Sequence, residues 1–62
     1  MNLAEIRRAK SMTQQSLANL VNVKRQTISA IENGAKPKVA TAKKIAAVLD
    51  FEWTKFYEDQ AG

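Results

Sequence analysis

The strongest structural signal lies in residues 13–34, which read T-Q-Q-S-L-A-N-L-V-N-V-K-R-Q-T-I-S-A-I-E-N-G. Thr13 is a residue type that caps helix N-termini, and the apolar residues after it recur at the spacing of one helical face. These apolar residues are Leu17, Ala18, Leu20 and Val21. The pattern predicts a helix that begins at Thr13, runs to about residue 21 and buries this face.

A tight turn and another helix follow. Asn22 stands where a residue in the left-handed conformation would end the first of the two helices, and asparagine takes that conformation more readily than other non-glycine residues. The next helix is predicted over residues 24–33, with Ile28 and Ile31 inward and Gly34 after its end. Because the connection has only about three residues, the two helices cannot lie antiparallel, and we expect a steep crossing that lets one helix protrude.

The outward face of this protruding helix is polar. At roughly 100° per residue, the face opposite the two isoleucines carries Gln26, Ser29, Ala30 and Asn33, with Arg25 at its edge. A glutamine amide can pair with N6 and N7 of adenine, and arginine can bind O6 and N7 of guanine. The face is therefore a candidate for reading DNA bases. An ordinary solvated helix surface is the alternative, because arginine and glutamine are common on protein surfaces.

Helices are also predicted on both sides of this pair. A first helix follows Asn2, an N-cap residue type, and a fourth covers residues 39–49 after a loop of residues 35–38. A short fifth helix is predicted over residues 53–58. The residues expected to pack inward from these helices are Leu3, Ile6, Ala9, Ala42, Ile45, Ala46, Leu49, Phe51, Trp53 and Phe56. Since no alternation of apolar and polar residues persists, residues 1–62 are predicted to form one compact, all-α domain of five helices.

The composition narrows the function classes. The 62 residues contain no cysteine and no histidine, so a disulfide is excluded and the common ligands of zinc are lacking. Ser11, Ser16 and Ser29 have no histidine to serve as their base, and neither paired carboxylates nor a glycine-rich phosphate loop is apparent. We therefore expect no catalytic residue, no metal, no cofactor and no small-molecule ligand.

Neither a membrane span nor a secretory signal is expected. No apolar run approaches the roughly 20 residues that cross a bilayer, and the start, M-N-L-A-E-I-R-R-A-K, lacks the apolar segment of a signal peptide. A mean hydropathy of −0.36 argues against a membrane-active amphipathic peptide. The sequence therefore predicts a cytoplasmic protein.

Charge is distributed unevenly along the chain, whose formal net charge is +4. Residues 1–49 carry nine basic residues against two acids, a net charge of +7, whereas residues 50–62 carry one lysine against four acids, a net charge of −3. A basic body with an acidic tail indicates a polyanionic partner on one side of the molecule. A basic surface without functional consequence is the alternative.

Residues 6–34, I-R-R-A-K-S-M-T-Q-Q-S-L-A-N-L-V-N-V-K-R-Q-T-I-S-A-I-E-N-G, resemble the helix-turn-helix family of the lambdoid phage repressors and Cro proteins, often called XRE-type. The strings M-T-Q-Q-S-L-A and R-Q-T-I-S-A-I-E-N-G carry the resemblance, which extends more weakly through I-A-A-V-L-D-F-E-W to about Tyr57. It implies a lambda-repressor-like domain whose third helix reads double-stranded DNA in the major groove. The implied function is a transcriptional repressor associated with the nucleoid of a bacterial or phage-infected cell.

The resemblance also implies roles for individual residues. Its base-reading positions correspond to Lys24, Arg25, Gln26 and Ser29. Its phosphate-contacting positions correspond to Gln14, Thr27, Asn33, Lys36 and Lys38. Gln14 is also expected to support the start of the third helix. Arg7 and Glu32 match a pair that forms an internal ion pair between the first and third helices, and a phosphate ligand is the alternative role for Arg7.

Several positions depart from the family's pattern. Lys24 precedes the third helix where the family often has a serine or threonine cap, which loses a hydrogen bond that contributes about 1 kcal/mol. Ser11, Asn22 and Asp50 stand where the family often has glycine, and Glu52 replaces a common cap residue before the fifth helix. None of these differences removes the motif.

Binding to DNA is expected to require a homodimer. A monomer with few phosphate contacts binds in the non-specific range of about 10⁻⁴–10⁻⁶ M, whereas two copies on half-sites about 34 Å apart reach useful specificity. The aromatic C-terminal segment, F-E-W-T-K-F-Y, matches the region that commonly forms the family's dimer contact. Two alternatives stay open. One is an antitoxin that binds its own promoter and docks a protein toxin on the C-terminal segment, and the other is a protein-interaction module.

Overall fold

The computed structural model describes residues 2–58, which form four α-helices and a C-terminal 3₁₀-helix. The helices α1 to α4 run over Leu3–Ala9, Gln14–Val21, Arg25–Glu32 and Val39–Leu49, and the 3₁₀-helix runs over Trp53–Tyr57. No strand occurs within residues 2–58, so the prediction of an all-α fold is confirmed. Asp59, one of the acids of the C-terminal tail, lies outside the described residues.

The first two helices begin with side-chain caps. Asn2 Oδ1 accepts a hydrogen bond from the Glu5 N–H at 3.1 Å. Thr13 and Ser16 form a capping box, in which each side-chain oxygen accepts the backbone N–H of the other residue at 3.0 and 2.9 Å. These bonds satisfy N–H groups that the first turn of a helix leaves without a partner inside the helix. The caps predicted at Asn2 and Thr13 are therefore confirmed.

Left-handed residues make the sharp connections between helices. Ser11, Asn22 and Asp50 have φ angles of 58°, 60° and 64°, and they are the non-glycine residues with positive φ among residues 2–58. Asn22 ends α2, and the next N–H, that of Val23, donates to the Ala18 carbonyl at 2.9 Å. The left-handed turn predicted at Asn22 is confirmed, and it sends the chain directly into α3.

The core lies where α2 packs against both α3 and α4. The 3₁₀-helix closes it by packing on α4, and α1 contacts α3. The largest fully buried side chains are Val21, Leu17, Ile28, Ile45 and Leu49. All inward residues predicted for α3 and α4 are buried. Ile28 and Ile31 anchor α3 in this core, so the helix face opposite them points away from it.

Two residues predicted to be buried are exposed. Leu20 has 60% of its surface exposed, because it is rotated about 100° from its neighbour Val21, which points into the core. Ala9 is also exposed. The buried α1 residue one turn after Leu3 is Arg7. The inward face of α1 therefore includes a charged residue, which a search for apolar residues does not detect.

The short fifth helix predicted over residues 53–58 is a 3₁₀ segment, Trp53–Tyr57, so residues 2–58 contain four α-helices and the predicted count of five helices is not confirmed. Glu52 precedes it without a side-chain cap bond, and the Lys55 N–H donates to the Glu52 carbonyl at 3.0 Å, three residues back. So short a segment gains few i→i−4 bonds, and 3₁₀ turns are common as short terminal pieces. Phe56 is buried, and its ring meets that of Phe51 edge-on with centroids 5.4 Å apart.

The longest helix in the described part of the chain is α4, with 11 residues. Within residues 2–58, no helix combines the length and the apolar character that crossing a bilayer requires.

Replacing Asp50 by glycine should stabilise the fold. Asp50 is exposed and ends α4 at φ 64° and ψ 53°, a conformation that glycine takes without a steric cost from Cβ. Asp50→Gly also removes a carboxylate from the negative end of a helix dipole. We expect the free energy of unfolding to rise by about 0.5–1.5 kcal/mol in urea titrations. Asp50→Asn, which removes only the charge, should give a smaller gain. A loss of stability in Asp50→Gly would contradict this account of the turn.

Candidate nucleic-acid interface

The exposed side of α3 carries most of the residues predicted to read bases. Ile28 and Ile31 are buried, and they fix which side of α3 faces inward. Arg25 and Gln26 are exposed, whereas Ser29 is half-buried. The other exposed positions on or beside α3 are Lys24, Thr27, Ala30 and Asn33. Hydrogen-bond donors, acceptors and the methyl groups of Thr27 and Ala30 are therefore accessible on and beside α3, as base-edge recognition requires.

A buried ion pair fixes α3 to α1. Arg7 Nε donates to Glu32 Oε2 at 2.7 Å, and Arg7 Nη2 donates to Glu32 Oε1 at 3.4 Å. The two side chains are only 8% and 9% exposed. Arg7 Nη1 also donates to the Met12 carbonyl at 2.7 Å, so one guanidinium joins α1, the α1–α2 connection and the end of α3. With these bonds Arg7 faces inward, and a phosphate-ligand role for it has no support in this geometry.

The pKa of Glu32 reports on this pairing. Burial alone would raise the pKa of the carboxyl group, since it disfavours the charged form. Hydrogen bonds from Arg7 and Gln14, and the positive charges of Arg7 and Arg8, outweigh burial and lower the pKa of Glu32 below its usual value. The folded protein therefore stabilises the carboxylate form.

Gln14 extends the ion pair to the start of α3. Its Nε2 donates to Glu32 Oε1 at 2.9 Å, and its Oε1 accepts from Arg25 Nη1 at 3.3 Å. The carboxylate of Glu32 thus turns the amide so that its oxygen faces Arg25. Because α3 begins after Lys24 without a side-chain cap bond, this contact between α2 and α3 supports the first turn of α3. A primary amide has two N–H donors, so Gln14 keeps a second one for another acceptor.

The loop of residues 35–38 borders the exposed face of α3. An open groove of about 520 Å³ lies between them, lined from α3 by Gln26, Thr27 and Ala30 and from the loop by Pro37 and Lys38 among others. Lys36 and Lys38 both line this groove and give it a positive charge, which suits a phosphate backbone.

The two lysines of this loop differ in their surroundings. Lys38 is exposed at the N-terminus of α4. Lys36 Nζ, by contrast, donates to the Phe56 carbonyl at 3.2 Å, so it connects the loop to the 3₁₀-helix. The family resemblance implies the same phosphate-binding role for both lysines. Their difference was not visible in the sequence, because the bond joins residues 20 positions apart.

Sequence reasoning also missed a contact made by Tyr57. Its hydroxyl donates to the Pro37 carbonyl at 2.6 Å, which attaches the C-terminal segment to the loop beside α3. The aromatic character of that segment was visible, but no local pattern indicates which backbone carbonyl a tyrosine hydroxyl will reach.

Comparisons with known proteins show which family the sequence resembles. A helix-turn-helix family model matches residues 3–56. An uncharacterized HTH-type transcriptional regulator of Bacillus subtilis (strain 168), YqaF, is 41% identical over 58 residues, which are 92% of this chain and 76% of that protein. A second one from the same organism, RghRB, is 51% identical over 49 residues, which are 76% of this chain but 35% of the relative. No solved structure gives a significant match.

Removing Arg7 should destabilise the fold strongly. Arg7→Met leaves Glu32 buried without its charged partner, a situation that typically costs about 3–5 kcal/mol. This loss is most of the unfolding free energy of a domain of this size. Urea unfolding should therefore be measured in a stabilising osmolyte, so that the variant is folded at the start of the titration. Arg8→Met is the matched control, since Arg8 is exposed on the same helix. If Arg7→Met and Arg8→Met lost the same amount of unfolding free energy, the ion pair would have no structural role. The double variant Arg7→Met/Glu32→Leu removes both charges, and a smaller loss in it than in Arg7→Met would support that role.

The contribution of Glu32 should disappear in acid. Because folding lowers its pKa, its stabilising effect is complete above the usual glutamate pKa of about 4.3 and is lost as the pH falls through the lower value of the folded state. The stability difference between the wild type and Glu32→Gln should therefore be constant near neutral pH and narrow below about pH 5. Urea midpoints of both proteins, measured across this range, provide the test. A difference that widens on acidification is incompatible with a lowered pKa.

Proposed function

Because this chain belongs to the XRE-type helix-turn-helix family, we propose that it regulates transcription by binding a double-stranded operator with α3 in the major groove. The observation that carries the proposal is the exposed, polar side of α3, held outward by the buried pair Ile28 and Ile31. The major groove admits an α-helix and presents a distinct pattern of donors and acceptors for each base pair. The two Bacillus relatives, named as transcriptional regulators, support the same function.

Base reading is assigned to the N-terminal half of α3. Gln26 is exposed and has the amide that matches adenine, and Arg25 has the guanidinium that matches guanine. Gln14 holds one Nη atom of Arg25, which restricts the guanidinium before DNA arrives and lowers the entropic cost of binding. Lys24 and Ser29 flank these two residues. Because Ser29 is half-buried and has a short side chain, it reaches less far toward a base than Lys24 does.

Phosphate contacts are assigned to residues around this half of the helix. Lys38 supplies an exposed cation across the groove from α3, and Thr27 and Asn33 supply exposed hydrogen-bonding groups. Gln14 offers the second N–H of its amide, since the first is bonded to Glu32. Lys36 contributes charge to the same surface while its Nζ is bonded to the Phe56 carbonyl. Such contacts fix the position of the protein on the duplex and carry no sequence information themselves.

Repression by a homodimer is part of the proposal. Residues 2–58 supply one recognition helix and a small set of phosphate contacts, which limits a single copy to weak binding. Two copies on half-sites about 34 Å apart would double the readout and require a two-fold symmetric operator. Occupying such an operator would block transcription from an overlapping promoter, and the protein would act in the bacterial cytoplasm.

Base-reading and phosphate-contacting residues should differ in their mutational effects. The probe is a duplex recovered by selection from random sequences, together with variants of it changed at single base pairs. Gln26→Ala or Arg25→Ala should cost about 1–3 kcal/mol of binding free energy and relax the preference at one base pair. Lys38→Ala should weaken binding to all sequences alike and reduce the slope of log K against log salt by about 0.9.

The control is Lys44→Ala, which removes an exposed lysine from α4. It should leave the sequence preference and most of the affinity unchanged. If Gln26→Ala and Arg25→Ala changed the affinity for every sequence by the same factor as Lys38→Ala, α3 would not be the reading element. If the wild-type chain bound no duplex, the proposed function would be wrong.

A further inference from the structure

The loop that carries Lys38 has backbone hydrogen bonds at its two ends. The Ala35 N–H donates to the Ala30 carbonyl at 2.9 Å, which closes the end of α3, and the Ala42 N–H donates to the Lys38 carbonyl at 2.8 Å, which opens α4. Between these two bonds the chain passes Pro37, whose nitrogen has no hydrogen to donate. The position of the loop relative to α3 therefore depends on contacts made from elsewhere in the fold.

These contacts come from the 3₁₀-helix. The Tyr57 hydroxyl donates to the Pro37 carbonyl at 2.6 Å, and Lys36 Nζ donates to the Phe56 carbonyl at 3.2 Å. The two bonds run in opposite directions between the same two segments. One uses a side chain of the 3₁₀-helix, and the other uses a side chain of the loop.

The segment that makes these contacts is itself anchored. Phe56 is 7% exposed and packs in the core. The Tyr57 ring meets the Trp53 ring edge-on with centroids 6.1 Å apart, and Lys43 of α4 lies with Nζ 5.1 Å from the centroid of Trp53. Through this stack Tyr57 is connected to α4, so its hydroxyl has a defined position from which to hold the loop.

We propose that Tyr57 is a positioning residue for DNA binding, which acts by holding the peptide between Pro37 and Lys38. The inference rests on the proposed function and adds to it a residue that does not itself touch DNA. The carbonyl bonded by Tyr57 belongs to the planar peptide unit that also contains the Lys38 nitrogen. Fixing that plane fixes the start of α4 and the point from which the Lys38 side chain extends across the groove.

We expect the bond between Tyr57 and Pro37 to affect the free energy of DNA binding. A loop that is ordered before DNA arrives does not lose conformational entropy in the complex, whereas a loose loop does. Tyr57→Phe removes one hydroxyl and keeps the ring that packs on Trp53. The expected result is a roughly three- to ten-fold weaker affinity for DNA, which is the effect of one neutral hydrogen bond.

The experiment is a double-mutant cycle in DNA binding with the full 62-residue chain. The variants are Tyr57→Phe, Lys38→Ala and their combination, titrated at several salt concentrations against the selected duplex. Thr54→Ala is the matched control, because Thr54 is an exposed residue of the same 3₁₀-helix. Urea unfolding of each variant shows that it is folded at the temperature of the titration.

The cycle distinguishes positioning from general stability. We expect Tyr57→Phe to lower the salt slope toward that of Lys38→Ala and to have little further effect in the Lys38→Ala background. Thr54→Ala should bind as the wild type does. Wild-type affinity and slope in Tyr57→Phe, or the same loss in both backgrounds, would overturn the inference while leaving the proposed function intact. A wild-type chain that binds no duplex would overturn both.

Discussion

A buried ion pair between Arg7 and Glu32 holds α3 against the rest of the fold. The guanidinium of Arg7 connects α1 to α3 and also reaches the Met12 carbonyl before α2. Glu32 also accepts a hydrogen bond from the Gln14 amide, and the oxygen of that amide accepts one from Arg25 at the outer surface. The chain of bonds therefore runs from the interior to the proposed DNA-binding surface. A hydrophobic pair could fill the same space, but it could not orient the amide of Gln14.

The two ends of the proposed DNA-binding surface are supported in different ways. At the start of α3, where Lys24 offers no side-chain cap bond, support comes from α2 through Gln14. Beyond the end of α3, support for the loop comes from the C-terminal 3₁₀-helix through Tyr57 and Lys36. Small domains bury little surface, and in this chain polar bonds between distant segments supplement the apolar core. The surface proposed to bind DNA is thus held in place partly by two of its own residues, Gln14 and Lys36, and partly by Tyr57, which lies outside it.

Local patterns predicted most of the fold. Caps at Asn2 and Thr13, the left-handed Asn22 and the inward isoleucines of α3 follow from residue type and spacing, and the structure confirms each of them. Leu20 was predicted to be buried and is exposed, because the sequence of a helix does not show how wide its buried face is until the neighbouring helices are known. The short helix predicted over residues 53–58 is a 3₁₀ segment, because so short a segment gains few i→i−4 bonds. The division of roles between the loop lysines depends on long-range contacts, which a single sequence does not show.

Backbone NMR can show directly whether the outward side of α3 meets the duplex. The ¹⁵N-labelled chain would be titrated with a duplex obtained by selection from random sequences. We expect the amide resonances of Arg25, Gln26, Ala30 and Lys38 to shift together and saturate together, while that of Ala47 on the exposed side of α4 does not move. Shifts confined to α4 or to the 3₁₀-helix, with α3 unchanged at saturation, would show that α3 does not meet the duplex.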